Sequence, residues 1–333
     1  MPSACIFDPE GLRLNASERA LYRDLDPWGF ILFARNIDSP DQVHALTSEL
    51  REVVGRDAVI TVDQEGGRVQ RLRAPHWREW TPPLDFVRTA GENAVRAMEI
   101  RYRLIAAELR AVGIDSNCAP TADLLRPETH EFLQNRTYGK RVGIVTERAA
   151  AAARGMLEGG VLPVLKHIPG HGRATQDSHK SLPRVRAALE QLDRSDFAPF
   201  AALAELPMGM TAHIVFEEVD DRPATISPAM IRIIRERIGF DGLLMTDDLR
   251  MEALSGCPAG RAEAAIAAGC DLALYCNGSL GDKAQVATAA GAMTEAAMRR
   301  AKAALAMRRD PAALDIPALE TELDALMAER VDG

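Results

Sequence analysis

Aromatic residues make up only 5% of the 333-residue chain, and basic residues are not in excess: 40 Lys and Arg against 48 Asp and Glu leave a formal net charge of −8. The first scarcity argues against an all-β architecture, since strands draw heavily on aromatic side chains. The second argues on electrostatic grounds against nucleic acid or an anionic membrane as partner. The five cysteines (Cys5, Cys118, Cys257, Cys270 and Cys276) form no Cys-x-x-Cys pair, and several sit inside apolar runs, as reduced buried thiols do. No apolar stretch approaches the about 20 residues needed to span a bilayer. The opening Met1–Glu10 lacks the basic and apolar regions of a signal peptide. A soluble, cytoplasmic protein in a reducing compartment is expected. No Gly-x-Gly-x-x-Gly follows an early strand, so the dinucleotide-binding fingerprint is missing as well.

Apolar residues, at 47%, are ample for a buried core. They recur as short runs bounded by turn signals: 4–7, 29–34, 58–62, 113–118, 161–166, 209–214, 242–246 and 270–276. Helical patterns fill the intervals. Ser39-Pro40-Asp41-Gln42 reads as an N-cap, a proline at the first helical position and a capping-box partner, with Gly55 closing that helix. Val95, Met98, Tyr102, Ile105, Leu109 and Val112 form an amphipathic stripe ending at Gly113. Thr146 is placed to cap the alanine-rich segment that runs to Gly159-Gly160. Eight strands alternating with helices predict an α/β fold, a (β/α)8 barrel, in preference to a doubly wound open sheet. Residues 1–333 read as a single domain, with 282–333 as terminal packing helices.

The densest chemistry lies between Lys166 and His179, where a lysine, three histidines and an aspartate follow the apolar run directly. Pro169, Gly170 and Gly172 predict a loop there. In an extended loop, residues two apart face the same side, so Asp177 and His179 can form a carboxylate–imidazole dyad suited to proton transfer near neutral pH. The spacing of His167 and His171 is not a zinc pattern, because proline and glycine between them prevent a helix. No metal and no cofactor are expected.

In a barrel, the C-terminal ends of strands form the active-site face. The third run ends in Asp63-Gln-Glu65-Gly-Gly-Arg68-Val-Gln-Arg71, the fifth in Lys166-His167, the sixth in His213 and the seventh in Asp247-Asp248; Arg136 adds a cation from a loop. Together they suit a sugar. Asp63 can accept hydrogen bonds from adjacent hydroxyls, while Arg71, Arg136, Lys166 and His167 can donate to ring substituents. Asp247 is placed as a nucleophile, and the Asp177–His179 dyad as acid and base, the arrangement of a retaining glycosidase. Asp63 and Glu65 could instead stabilise the Gly66-Gly67 turn, Asp248 reads as a helix N-cap, His213 is unassigned, and Arg68 reads as a surface charge.

The motifs Asp63–Arg71, Lys166–Gly172 with Asp177-Ser-His179, and Thr246–Glu252 resemble glycoside hydrolase family 3. More narrowly, they are similar to its single-domain bacterial β-N-acetylglucosaminidases (β-hexosaminidases) of peptidoglycan recycling. The likeness runs in order from about Phe30 to Cys276, and the Asp-x-His loop separates these enzymes from related β-glucosidases. The resemblance implies Asp247 as nucleophile, His179 with Asp177 as acid/base, and Asp63, Arg71, Arg136, Lys166 and His167 as sugar ligands. It implies a mobile histidine loop and a carbohydrate substrate, GlcNAc β-1,4-linked to anhydro-N-acetylmuramic acid with or without peptide. A monomer is expected. Two departures stand out: Asn135-Arg-Thr-Tyr-Gly139 replaces a usual Arg-Ser-Phe, and the segment between Glu252 and Ala264 is short. Three rival readings stay open. They are substrate-assisted catalysis, a metal-dependent hydrolase or lyase using His167, His171, His179 and Asp247, and a non-catalytic muropeptide sensor.

Overall fold

The computed structural model describes residues 1–177, 181–311 and 314–328. Eight of its strands fall on the eight apolar runs: β1 (Ser3–Phe7), β2 (Pro27–Leu32), β3 (Val59–Val62), β4 (Ser116–Asn117), β5 (Leu162–Ile168), β6 (Met208–Thr211), β7 (Leu243–Met245) and β8 (Ala273–Tyr275). All pair in parallel, in two four-stranded sheets of order β8-β1-β2-β3 and β4-β5-β6-β7. Every residue of β2 and of β5 is buried, as expected where helices cover a parallel sheet and strands read as unbroken apolar runs.

The ladder is interrupted at two places, between β3 and β4 and between β7 and β8. At both, side chains supply hydrogen bonds that backbone would otherwise make. Between β3 and β4, Ile60 N donates to Asp115 Oδ1 (2.8 Å) and Gln64 N to Asn117 Oδ1 (3.0 Å). Backbone bonds from Asp115 N to Ile60 O and from Cys118 N to Val62 O flank them. Between β7 and β8, Leu244 N donates to Asp271 Oδ2 (2.9 Å) and Leu274 N to Thr246 Oγ1 (2.9 Å), around a single Met245–Leu272 bridge. The fold is therefore α/β with eight parallel strands, held in two ladders that side chains join.

The helices follow the predicted periodicity with local exceptions. Helix Ala94–Ala111 buries Met98, Tyr102, Ile105 and Leu109 and packs on helix Val142–Glu158. Gly155 permits this close crossing, because a Cβ there would lie 2.9 Å from the backbone nitrogen of Arg103. Thr146 lies inside the second helix rather than at its cap; the helix starts at Val142, after an Arg141 whose side chain makes no capping bond. In helix Pro40–Val54 the Ser39 side chain makes no cap bond, and Gln42 Oε1 instead accepts from Asp38 N (2.9 Å). Gly55 closes that helix in the left-handed region as predicted. Two short pairings have no signal in the sequence reading: an antiparallel hairpin of Gln64–Gly66 with Val69–Gln70, and a parallel pair of Arg184–Val185 with Val215–Phe216. Both are too short to show a strand period. Helices Leu280–Ala290, Glu295–Ala306 and Ile316–Ala328 occupy the tail.

Candidate active site

β3 stops at Val62 and delivers Asp63 to the end of the sheet. Its two carboxylate oxygens are shared between cations: Lys166 Nζ donates to Oδ1 (3.0 Å) and Arg71 Nη2 to Oδ2 (3.0 Å). The hairpin that follows brings Arg71 back over Asp63, with Gln64 Oε1 accepting from Arg71 N (2.9 Å). Gly66 makes the turn at φ 114°, packed against Thr81 and Trp80. Glu65, 1% exposed, takes Arg136 in a bidentate grip (2.9 and 2.8 Å) and Lys166 Nζ at 2.6 Å. Lys166 thus sits between the buried Glu65 carboxylate and the half-buried Asp63 carboxylate. Burial alone would raise both carboxyls. At Asp63 the Lys166 and Arg71 charges reverse this and hold it well below the usual range, and at Glu65 Arg136 and Lys166 hold the carboxyl down to about 2. Burial works against the Lys166 ammonium, yet the two carboxylates raise it above its ordinary value. The group stays ionised because every charge is paired.

β5 carries Lys166 and His167, and both line the same cavity. His167 Nδ1 lies 2.7 Å from Asp123 Oδ2, and its Nε2 lies 3.3 Å from Arg136 Nη2. Asp123 also accepts from His171 N (2.6 Å), pinning the start of the histidine loop. His171 packs edge-on against both His167 and Phe132; burial, then the neighbouring His167, lower its imidazole to about 4, so it is neutral. Asp123 belongs to no motif in the sequence reading. Its position past the end of β4, on the face where strand ends present polar groups, is the signal that points to it.

Asp247 follows β7, half-buried on the cavity wall, and its Oδ1 accepts from Asp248 N (2.8 Å). Asp248 caps no helix: the next one starts at Pro258. Its Oδ1 instead accepts from Arg250 N and Cys276 N (both 3.0 Å), tying the turn after β7 to the end of β8. Burial, with Asp247 beside it, raises the Asp248 carboxyl to about 7 against these two hydrogen bonds. His213 is a satisfied core histidine, with Nδ1 2.7 Å from Thr225 Oγ1 and Nε2 3.1 Å from the Asp248 carbonyl. Burial lowers its imidazole, so Nε2 can brace the Asp247-Asp248 turn without adding charge.

The cavity, about 230 Å³, brings Asp63, Arg71, Arg136, Lys166, His167 and Asp247 together. Arg68 also lines it, its side chain donating to the Phe132 carbonyl, so it is more than a surface charge. Asp177 is not among the lining residues; its backbone carbonyl accepts from Ser181 N (3.0 Å), and its charge reaches Arg68. His179 lies outside the described residues. Among those described, no group of three His, Cys, Asp or Glu is arranged to hold a metal ion. No helix among them is long and apolar enough to cross a membrane.

Residues 8–306 match the glycosyl hydrolase family 3 N-terminal domain. The chain belongs to glycosyl hydrolase family 3. A β-hexosaminidase of Methylococcus capsulatus is 43% identical to this family 3 chain over 278 residues, 82% of each protein. NagZ from Neisseria gonorrhoeae, solved in complex with N-trifluoroacetyl-D-glucosamine, superposes with a TM-score of 0.83 at 28% identity, covering 98% of this chain and 96% of that one. A family 3 β-N-acetylglucosaminidase from a Paenibacillus strain gives a TM-score of 0.82 at 30% identity; 99% of this chain spans 63% of that longer one. The protein is a glycoside hydrolase, and its relatives of similar length carry the β-hexosaminidase name.

Proposed function

We propose that this β-N-acetylhexosaminidase is a retaining exo-β-N-acetylglucosaminidase that removes terminal non-reducing GlcNAc from GlcNAc-β-1,4-anhydroMurNAc and its peptides during cell-wall recycling. The observation that carries the reading is the single cavity shared by a paired-carboxylate sugar cradle and Asp247. A carboxylate has about four lone-pair sites, so Asp63 can hold Lys166 and Arg71 and still accept from sugar hydroxyls. The cations it holds can donate to the same hydroxyls. Asp247 then attacks the anomeric carbon while His179, supported by Asp177, protonates the departing oxygen. In the second step His179 takes a proton from the water that releases the sugar from Asp247. A histidine in that role avoids setting one carboxylate against another. The eight parallel strands are read as one (β/α)8 barrel, with the side-chain bonds of Asp115, Asn117, Asp271 and Thr246 completing the ring.

Two measurements test this. The purified enzyme, in EDTA, is expected to release the aryl group from an N-acetyl-β-glucosaminide and not from the matching β-glucoside; activity that needs added metal would replace the mechanism. A fluorinated N-acetylglucosaminide should label Asp247, seen by peptide mass spectrometry. Turnover with no label on any carboxylate would favour attack by the substrate's own acetamido oxygen.

A further inference from the structure

We propose that Asp123 is a positioning residue that fixes His167 as its Nδ1–H tautomer, so that Nε2 meets the sugar as a hydrogen-bond acceptor. The inference rests on the glycosidase reading for its sugar and on local geometry for the rest. Asp123 is fully buried and follows β4. Its Oδ2 accepts from His167 Nδ1 at 2.7 Å, and its Oδ1 from His171 N at 2.6 Å, so both oxygens are committed. The other edge of the ring faces Arg136, whose Nη2 is 3.3 Å from Nε2. A guanidinium can only donate, and this one is already locked in place by its two bonds to Glu65. A proton on Nε2 would set two donors against each other, so Nε2 carries the lone pair. Burial would raise the Asp123 carboxyl, but His167 and the His171 backbone N–H reverse this and keep it ionised. Among the described residues, the charged and titratable groups around the ring are Asp123 on the segment after β4, Arg136 with Glu65 behind it, His171 at 5.5 Å between ring centroids, and His213 after β6, which feels the His167 charge. Beyond His171, the charge of Asp247 reaches in from the end of β7.

The consequence is a directional reading of one sugar hydroxyl. It takes over the single Nε2 lone pair that Arg136 Nη2 faces at 3.3 Å, donating to His167, while its own lone pairs accept from Arg136 or Lys166. This reverses the donor role that composition alone suggests for His167.

Long-range proton–nitrogen NMR of the intact, ¹⁵N-labelled enzyme near neutral pH tests the assignment without substrate. The expected result is a protonated Nδ1 and a bare Nε2 at His167. A doubly protonated ring, or a proton on Nε2, overturns the proposal. In Asp123→Asn the carboxamide can donate to Nδ1, so the proton should move to Nε2. KM for the aryl N-acetyl-β-glucosaminide should then rise about ten- to a hundredfold, with kcat changed less, the scale on which a histidine's orienting carboxylate acts elsewhere. An unchanged ring spectrum in that variant also overturns it. An enzyme inactive on N-acetylglucosaminides that still showed the expected tautomer would sink the proposed function and leave the Asp123 assignment standing.

Discussion

The strands β3 and β7 each deal with two aspartates, one near either end, and the chain puts the same side chain to opposite uses. At the interrupted ladders, Asp115 accepts from Ile60 N, Arg51 and Arg308, and Asp271 accepts from Leu244 N, Arg235 and Arg300. Their side chains are 0% and 4% exposed. Three residues further along the same strands, Asp63 and Asp247 reach a cavity, and the Asp63 side chain is 18% exposed. Both kinds of site are rich in arginine. What separates them is the backbone: the structural carboxylates accept a main-chain N–H from the neighbouring strand, whereas Asp63 spends its two oxygens on side chains that a ligand can also engage. Arginine around an aspartate is thus no mark of function; a free approach to that aspartate is.

The comparison breaks most sharply at Asp247. Asp247→Ala should lower kcat at least about 10⁴-fold while leaving the melting temperature nearly unchanged. Asp115→Ala should do the reverse: stranding two arginines and a strand N–H costs about 3–5 kcal/mol, read as a lower urea midpoint, with kcat of the surviving folded enzyme kept. A loss of kcat as large as that of Asp247→Ala would erase the distinction. Next in size is His179→Ala, expected to cost about 10²–10⁴-fold on substrates with poor leaving groups and far less on activated aryl glycosides. Equal losses on both would remove His179 from proton transfer.

The smallest effect sharpens the comparison through pH. The Glu65 carboxyl is held at about 2 instead of 4.5, because Arg136 and Lys166 outweigh burial. A depressed carboxyl stabilises the fold fully above its unfolded value and loses that contribution as acid protonates it. Stability should therefore fall from about pH 5 to about pH 2, and Glu65→Gln should make that fall shallower. An identical acid slope in the variant would mean that the Glu65 ion pairs contribute nothing net.

Much of this was legible from residues alone. The eight strands announce themselves because a strand buried on both faces must be a short apolar run, and each run ends in a turn signal. The cavity lining is legible for the same reason: Asp63, Lys166, His167 and Asp247 each stand at the end of such a run, and Arg71 and Arg136 join them in the cavity. Asp123 is only weakly legible: it stands past the end of an apolar run, but one aspartate after Ala-Pro-Thr-Ala carries no motif spacing, and its partner imidazole lies 44 positions away. The pairing of Glu65 with Arg136 is not legible, because the two lie 71 positions apart. Asp248 reads as a helix cap in the sequence because local hydrogen bonding of aspartate looks alike in a turn and at a helix start. The side-chain substitutions at the two interrupted ladders are invisible to periodicity, which reports faces and not hydrogen-bond partners.

The division into two four-stranded ladders has a bearing on how activity should be interpreted. Asp63 and Arg71 hang from the ladder that holds β1, β2, β3 and β8, while Lys166, His167 and Asp247 hang from the other. On the proposed function, neither half owns a working site. Turnover is therefore a report on assembly: each cleaved glycoside certifies that the two halves have docked in register.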